Sequence, residues 1–136
     1  MSDLQTKYFD LHTTGIGYLN RARIIKPQRG DEFVAADIAA LHGSADEVQY
    51  TRFDCRVAGK DAQSIVRRVI ADVENDRRVL VGFKLSDLYA ETFTYKNGER
   101  AGETGISLKA RLIRVYWVKV DGETVYTAPQ ATEQPA

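Results

Sequence analysis

Aromatic rings and cations recur side by side along this chain. Tyr18 stands with Arg21 and Arg23, Phe33 follows, Tyr50 stands with Arg52 and Arg56, and Tyr89, Phe93, Tyr95 and Lys96 gather ahead of a turn. Lys84, Lys109 and Arg111 add charge in the second half. Flat rings accept nucleobases at about 1–3 kcal/mol per stacked base while Lys and Arg neutralise phosphates, so the mixture suits a single-stranded nucleic acid. Antiparallel sheets always expose alternate positions, so the same rings also suit a core or an oligomer contact.

Covalent chemistry finds less support. Asp10 and His12 could share a strand face, but no serine or cysteine is placed to complete a nucleophilic set. Cys55 alternates with Phe53 and Val57, which reads as a buried, inert thiol. One cysteine and two histidines cannot build a Cys/His zinc site, and the carboxylates are scattered rather than grouped as in calcium or magnesium loops. Gly15 and Gly17 lack the third glycine and following helix of a dinucleotide fingerprint, and are read as strand kinks. A non-enzymatic protein needing neither metal nor cofactor is expected.

The elements that must carry these residues follow from periodicity and turn chemistry. Tyr8 to Ile25 reads as a first strand, and Pro27 with Gly30 makes a turn. Glu32 to Leu41 reads as a second strand. In the third, Phe53, Cys55 and Val57 take one face while Tyr50, Arg52, Asp54 and Arg56 take the other. A helix is predicted after Gly59, with Asp61 as N-cap and Ile65, Val66, Val69, Ile70 and Val73 on one side. Arg77 to Leu85 reads as a fourth strand that runs on in extended form through Tyr95. Asn97-Gly98 predicts a type I′ hairpin turn into a fifth strand, Gly105 to Val120. Three strands, a helix and two strands is the order of the OB-fold, a five-stranded Greek-key barrel with its helix between strands three and four.

A chain of 136 residues has room for one domain. With 43% hydrophobic and 28% charged residues it has a globular composition. No apolar run reaches the roughly 18 residues that span a bilayer, and the polar start carries no export signal, so a cytoplasmic protein without a membrane partner is expected. Nineteen bases balance nineteen acids. The balance is uneven along the chain: residues 79–120 hold seven bases against four acids, while residues 121–136 hold three acids and no base.

Phe53-Asp54-Cys55-Arg56-Val57-Ala58-Gly59-Lys60, followed by the helix and Arg78-Val79-Leu80-Val81, resembles the bacterial single-stranded DNA-binding protein pattern. The positions of that family's stacking aromatics on the third strand are taken here by Arg52 and Ala58. Taken whole, residues 8 to 126 resemble an uncharacterised family of replication proteins carried by integrative conjugative elements. The stretches that carry this are Tyr8-Phe9-Asp10-Leu11-His12, Gly15 to Arg21, Asp37 to Leu41, Phe93-Thr94-Tyr95, Gly98-Glu99, Ala101-Gly102 and Ser107 to Leu112.

The resemblance implies a protein of a mobile element that handles single-stranded DNA during replication or transfer, beside other replication or conjugation proteins. On this reading residues 8–126 form the domain, between a disordered start over 1–7 and a disordered tail over 127–136. Arg21, Arg23, Arg52, Arg56, Lys84, Lys109 and Arg111 would meet phosphates; Phe33, Tyr50, Tyr89, Phe93 and Tyr95 would stack bases, with Tyr18 and Lys96 beside them. Ile113, Tyr116 and Trp117 predict association into a dimer or tetramer. The alternative is an OB-like interaction module of a replication complex, without strong nucleic-acid binding.

Overall fold

The computed structural model describes residues 9–129. Their elements are β1 (Thr13–Ile25), β2 (Phe33–His42), β3 (Gln49–Val57), α1 (Lys60–Glu74), β4 (Val79–Thr94), β5 (Thr104–Val120) and β6 (Glu123–Thr127). The expected disorder over 1–7 and beyond 129 falls outside the described residues. The tail expectation is corrected at its start: Thr127 belongs to β6, and Ala128 is buried, its N–H donating to the Tyr116 carbonyl at 2.7 Å. β6 makes six strands where five were expected, because the chain turns back at Asp121-Gly122 and pairs with the end of β5.

β2 pairs antiparallel with β1 and β3, and β4 pairs antiparallel with β1 and β5. A parallel pairing of β3 with β5 completes the circuit, so the sheet curls back on itself. Length makes this possible, since β4 and β5 are 16 and 17 residues long. β5 lays Leu108 to Leu112 against β3 and pairs with β4 along its whole length. Alternation then sends one set of side chains inward. Val34, Ile38, Phe53, Cys55, Val57, Val81, Phe83, Leu85, Leu112 and Val118 fill the interior, where each large side chain contributes roughly 1.5–3 kcal/mol of burial.

α1 covers the interior of the curled sheet with Ala62, Ile65, Val66 and Val69, while Ile70 and Val73 pack at its edge. The predicted cap is corrected. The helix already runs from Lys60, so Gly59 holds the N-cap, at φ 80°, and Asp61 lies inside the first turn with no side-chain capping bond. There its charge meets the positive end of the helix dipole. The Asn97-Gly98 turn is also looser than expected. Only Gly98 of the two has positive φ, and the connection is a longer loop closed where the N–H of Tyr95 donates to the Glu103 carbonyl and that of Gly102 to the Tyr95 carbonyl.

Gly17 is not a kink. A Cβ there would lie 2.7 Å from the Ala39 carbonyl oxygen and 2.9 Å from the Ala40 Cα, so glycine is required by the close approach of β2. The bend in β1 comes four residues later, at Arg21.

Candidate nucleic-acid interface

Two bulges decide which side chains point out of the curled sheet. Between Asn20 and Arg23, β1 spends one residue more than β2, and the extra one, Arg21, takes φ 49°. Leu19 points into the core and so does Ala22, three residues later; the parity has flipped, and Arg21 and Arg23 both face outward. β4 repeats the device between Ser86 and Tyr89, where Asp87 has φ 53°. Phe83 and Leu85 are core residues, whereas Tyr89, Glu91 and Phe93 turn to the outer face opposite Lys109, Ser107 and Gly105. No residue type in the sequence announces either bulge.

The re-aimed side chains border two adjoining grooves that share Asp54. The first, of about 550 Å³, is floored by Ala35, Ala110 and Cys55 and edged by Arg23, Phe33, Arg56, Tyr89, Lys109 and Arg111. The second, of about 540 Å³, holds Tyr50, Arg52, Phe93, Tyr95 and Ile106 around Arg21, Asp37 and Asp54. One half is therefore rich in cations and the other in rings. Tyr50 is 57% exposed and Ile106 70% exposed. Phe93 meets Tyr95 edge to face at 4.9 Å, and its ring lies where a Cβ on Gly105 would be.

Most of the predicted site residues thus meet on one surface, and three do not. Tyr18 lies outside both grooves, Lys84 sits on β4 opposite Thr14 and Arg114, and Lys96 is exposed in the hairpin loop. What sequence reading missed is the set of carboxylates among the bases. Asp37 is 2% exposed; its Oδ2 accepts from Arg21 Nη1 at 3.0 Å, and Arg23 Nη1 lies 3.8 Å from its Oδ1. Across the strand pair from Asp37 stands Asp54, which accepts a hydrogen bond from Lys109 Nζ at 2.5 Å. Lys109 also faces Glu91 at 3.7 Å, and Arg111 faces Asp87 at 3.7 Å. The hydrogen bond to Asp54 is the main cause holding Lys109 above its usual range, so its charge is secure at neutral pH.

Two cations are differently placed. Arg56 stacks its guanidinium 4.1 Å from the centre of the Phe33 ring, and Arg52 has no ion pair among the described residues. Six bases in all line the grooves against the acids Asp37, Asp54 and Asp87, with Glu91 beside Lys109, so a cationic surplus of two persists. The shared register places this chemistry in two successive rows of the same face, Ala35–Arg56–Arg111 and Asp37–Asp54–Lys109 across β2, β3 and β5.

A family model described as a protein of unknown function, DUF3577, matches residues 2–134. The chain belongs to that family. No curated protein and no solved structure matches it. Among the described residues of this family member, no three His, Cys, Asp or Glu side chains lie close enough to hold a metal ion. Cys55 is 1% exposed, and burial, with the fields of Asp54 and Asp37 added, pushes its thiol up to about 12. A thiol so rarely ionised is a poor nucleophile. No helix is long and apolar enough to cross a membrane among the described residues.

Proposed function

We propose that this protein is a non-enzymatic OB-fold protein that holds single-stranded DNA in the groove across β2, β3, β5 and the far half of β4, in replication or transfer of an integrative conjugative element. One observation carries the proposal: two adjoining grooves that share Asp54 gather six bases and five rings on one face, four of the bases in one and three of the rings in the other, the mixture that a strand offering both phosphates and bases requires. Support for the OB-fold comes from the pairing circuit β1-β2-β3-β5-β4 with the helix between β3 and β4. Further support is the position of the groove on β2 and β3, flanked by the loop before Phe33 and the loop after Tyr95, where OB-folds hold oligonucleotides. Bases stack on Tyr50, Phe93 and Tyr95; phosphates meet Arg52 and Arg56 first, since these need not leave a carboxylate.

The internal acids make the site a competitive one. A phosphate reaching Arg21 or Lys109 must share it with Asp37 or Asp54, which selects a ligand of dense negative charge over a single carboxylate. A second reading, a protein interaction module that assembles as a dimer or tetramer, draws on the exposed apolar side chains Tyr50, Phe93 and Ile106 around the ring-rich groove. Electrophoretic mobility shift with a thymidine oligonucleotide at two salt concentrations separates the two. Binding that weakens steeply with salt supports the nucleic-acid reading, and no shift at low salt overturns it in favour of the module.

A further inference from the structure

The ring-rich half of the groove does not end at a wall. Tyr50 lines it and also lines a neighbouring depression with Tyr18, Asn20, Arg77 and Arg78. Tyr18 and Arg78 in turn border another depression, with Leu80, Lys119, Asp121 and Gly122. Strand register explains the continuity. Arg52 is the partner of Ala39, Ala39 of Tyr18, Tyr18 of Leu80, and Leu80 of Lys119. Eight of their ten immediate neighbours, Phe53, Ile38, Ala40, Leu19, Val79, Val81, Val118 and Val120, are core, with Gly17 buried and Thr51 half-buried, so the five side chains share the outer face in one belt across the strands. Adjacent strands are about 4.8 Å apart, which puts Tyr18 roughly 10 Å from Arg52 across the small Ala39.

We infer that a second segment of the same single strand lies along this belt, leaving the groove at Arg52 and Tyr50, stacking a base on Tyr18, and bringing phosphates to Arg78 and Lys119. The inference rests on the single-stranded DNA reading and extends it from one groove to a longer footprint. The belt has the chemistry for it. Tyr18 supplies the ring and Leu80 an apolar neighbour; Arg78 keeps its guanidinium unpaired among the described residues, because Asp121 Oδ1 accepts instead from the Arg78 backbone N–H at 3.0 Å. Lys119 lies 5.6 Å from the Trp117 ring, which continues the aromatic surface along β5. Asp76 and Asp121 are the acids of the two depressions, against Arg77, Arg78 and Lys119, with Arg77 held by Asp72 at 3.3 Å. These charges balance, so it is the placement of the Arg78 guanidinium and the Lys119 ammonium beside Tyr18, not a net surplus, that would receive the phosphates of an anionic chain.

Fluorescence anisotropy with two thymidine oligonucleotides tests it, one of about 8 nucleotides, enough for the groove, and one of about 24, long enough to reach the belt. The unaltered full chain is expected to bind the longer one more tightly. Arg78→Ala with Lys119→Ala should leave the affinity for the short strand within about twofold while making the salt slope for the long strand shallower by about 1.4, the value for two lost phosphate contacts. Tyr18→Ser should weaken the long strand alone, by about tenfold, the lower part of the range for one stacked base. Equal loss for both lengths, or no change for either in a folded double variant, overturns the belt. If the unaltered protein binds the short strand and gains nothing from length, the belt fails while the groove stands. If it binds neither, the groove reading fails and the belt with it.

Discussion

The inner and outer faces of β3 alternate residue by residue over the same nine positions, yet they answer to different constraints. Inward, Phe53, Cys55 and Val57 are 7%, 1% and 2% exposed and belong to the apolar core. Outward, Tyr50, Arg52, Asp54 and Arg56 line the grooves and interact through charge and ring faces. The difference teaches that stability and recognition are separable here by parity alone: a substitution on one face should move folding, and one on its immediate neighbour should move binding.

The largest test is Phe53→Ala. Removing a buried ring leaves a cavity that costs about 3–5 kcal/mol, measured by urea unfolding. A loss below about 1 kcal/mol would mean that the inner face is not the packed core described. Next comes the pH response of Cys55. Its thiol ionises near 9.0 in the ordinary case and near 12 when folded, so between those values the unfolded chain gives up its proton first and folding stability falls as pH rises. At about 1.4 kcal/mol per unit, the loss is on the order of 3 kcal/mol by pH 11. Cys55→Ala should unfold with a flatter alkaline limb than the parent; parallel limbs would break the assignment.

On the outer face, Tyr50→Ala should cost about 1–3 kcal/mol of single-stranded DNA binding with the salt slope intact, since a ring carries no phosphate. A changed slope would show that Tyr50 acts by organising the cations around it. Arg52→Ala with Arg56→Ala should do the reverse, making the slope shallower by about 1.4. Its effect on folding should stay below about 1 kcal/mol, most of it the lost cation–π contact of Arg56 with Phe33. The smallest effect sharpens the comparison. Asp54→Asn releases Lys109 from its carboxylate, so binding should tighten by no more than about 1 kcal/mol and the slope steepen by about 0.7; weaker binding would mean that Asp54 is needed to position Lys109.

Much of this was legible in one dimension. The alternation of Phe53, Cys55 and Val57 with charged residues, the helical period of Ile65 to Val73, and the turn residues around Pro27 and Gly30 depend on neighbours within a few positions, where local sterics and hydrophobic period act. Less visible were the sixth strand and the helix cap. β6 is five residues long and polar at most positions, so only its pairing with β5 makes it a strand. The cap at Gly59 followed from where the chain had to leave β3, which no residue type near Asp61 encodes.

By itself, then, the sequence determined which residues go inside, where the long helix runs, and that rings and cations would share a solvent face. Each of these rests on interactions between residues close along the chain. The tertiary structure decided the rest. Only the two bulges turn Arg21, Arg23, Tyr89 and Phe93 toward one groove, and only the β3–β5 pairing carries Lys109 to Asp54, 55 positions away. Which cations are already paired and which face a ligand unpaired is a property of register between distant strands, and a shift of one residue in either would send each of these side chains to the opposite face.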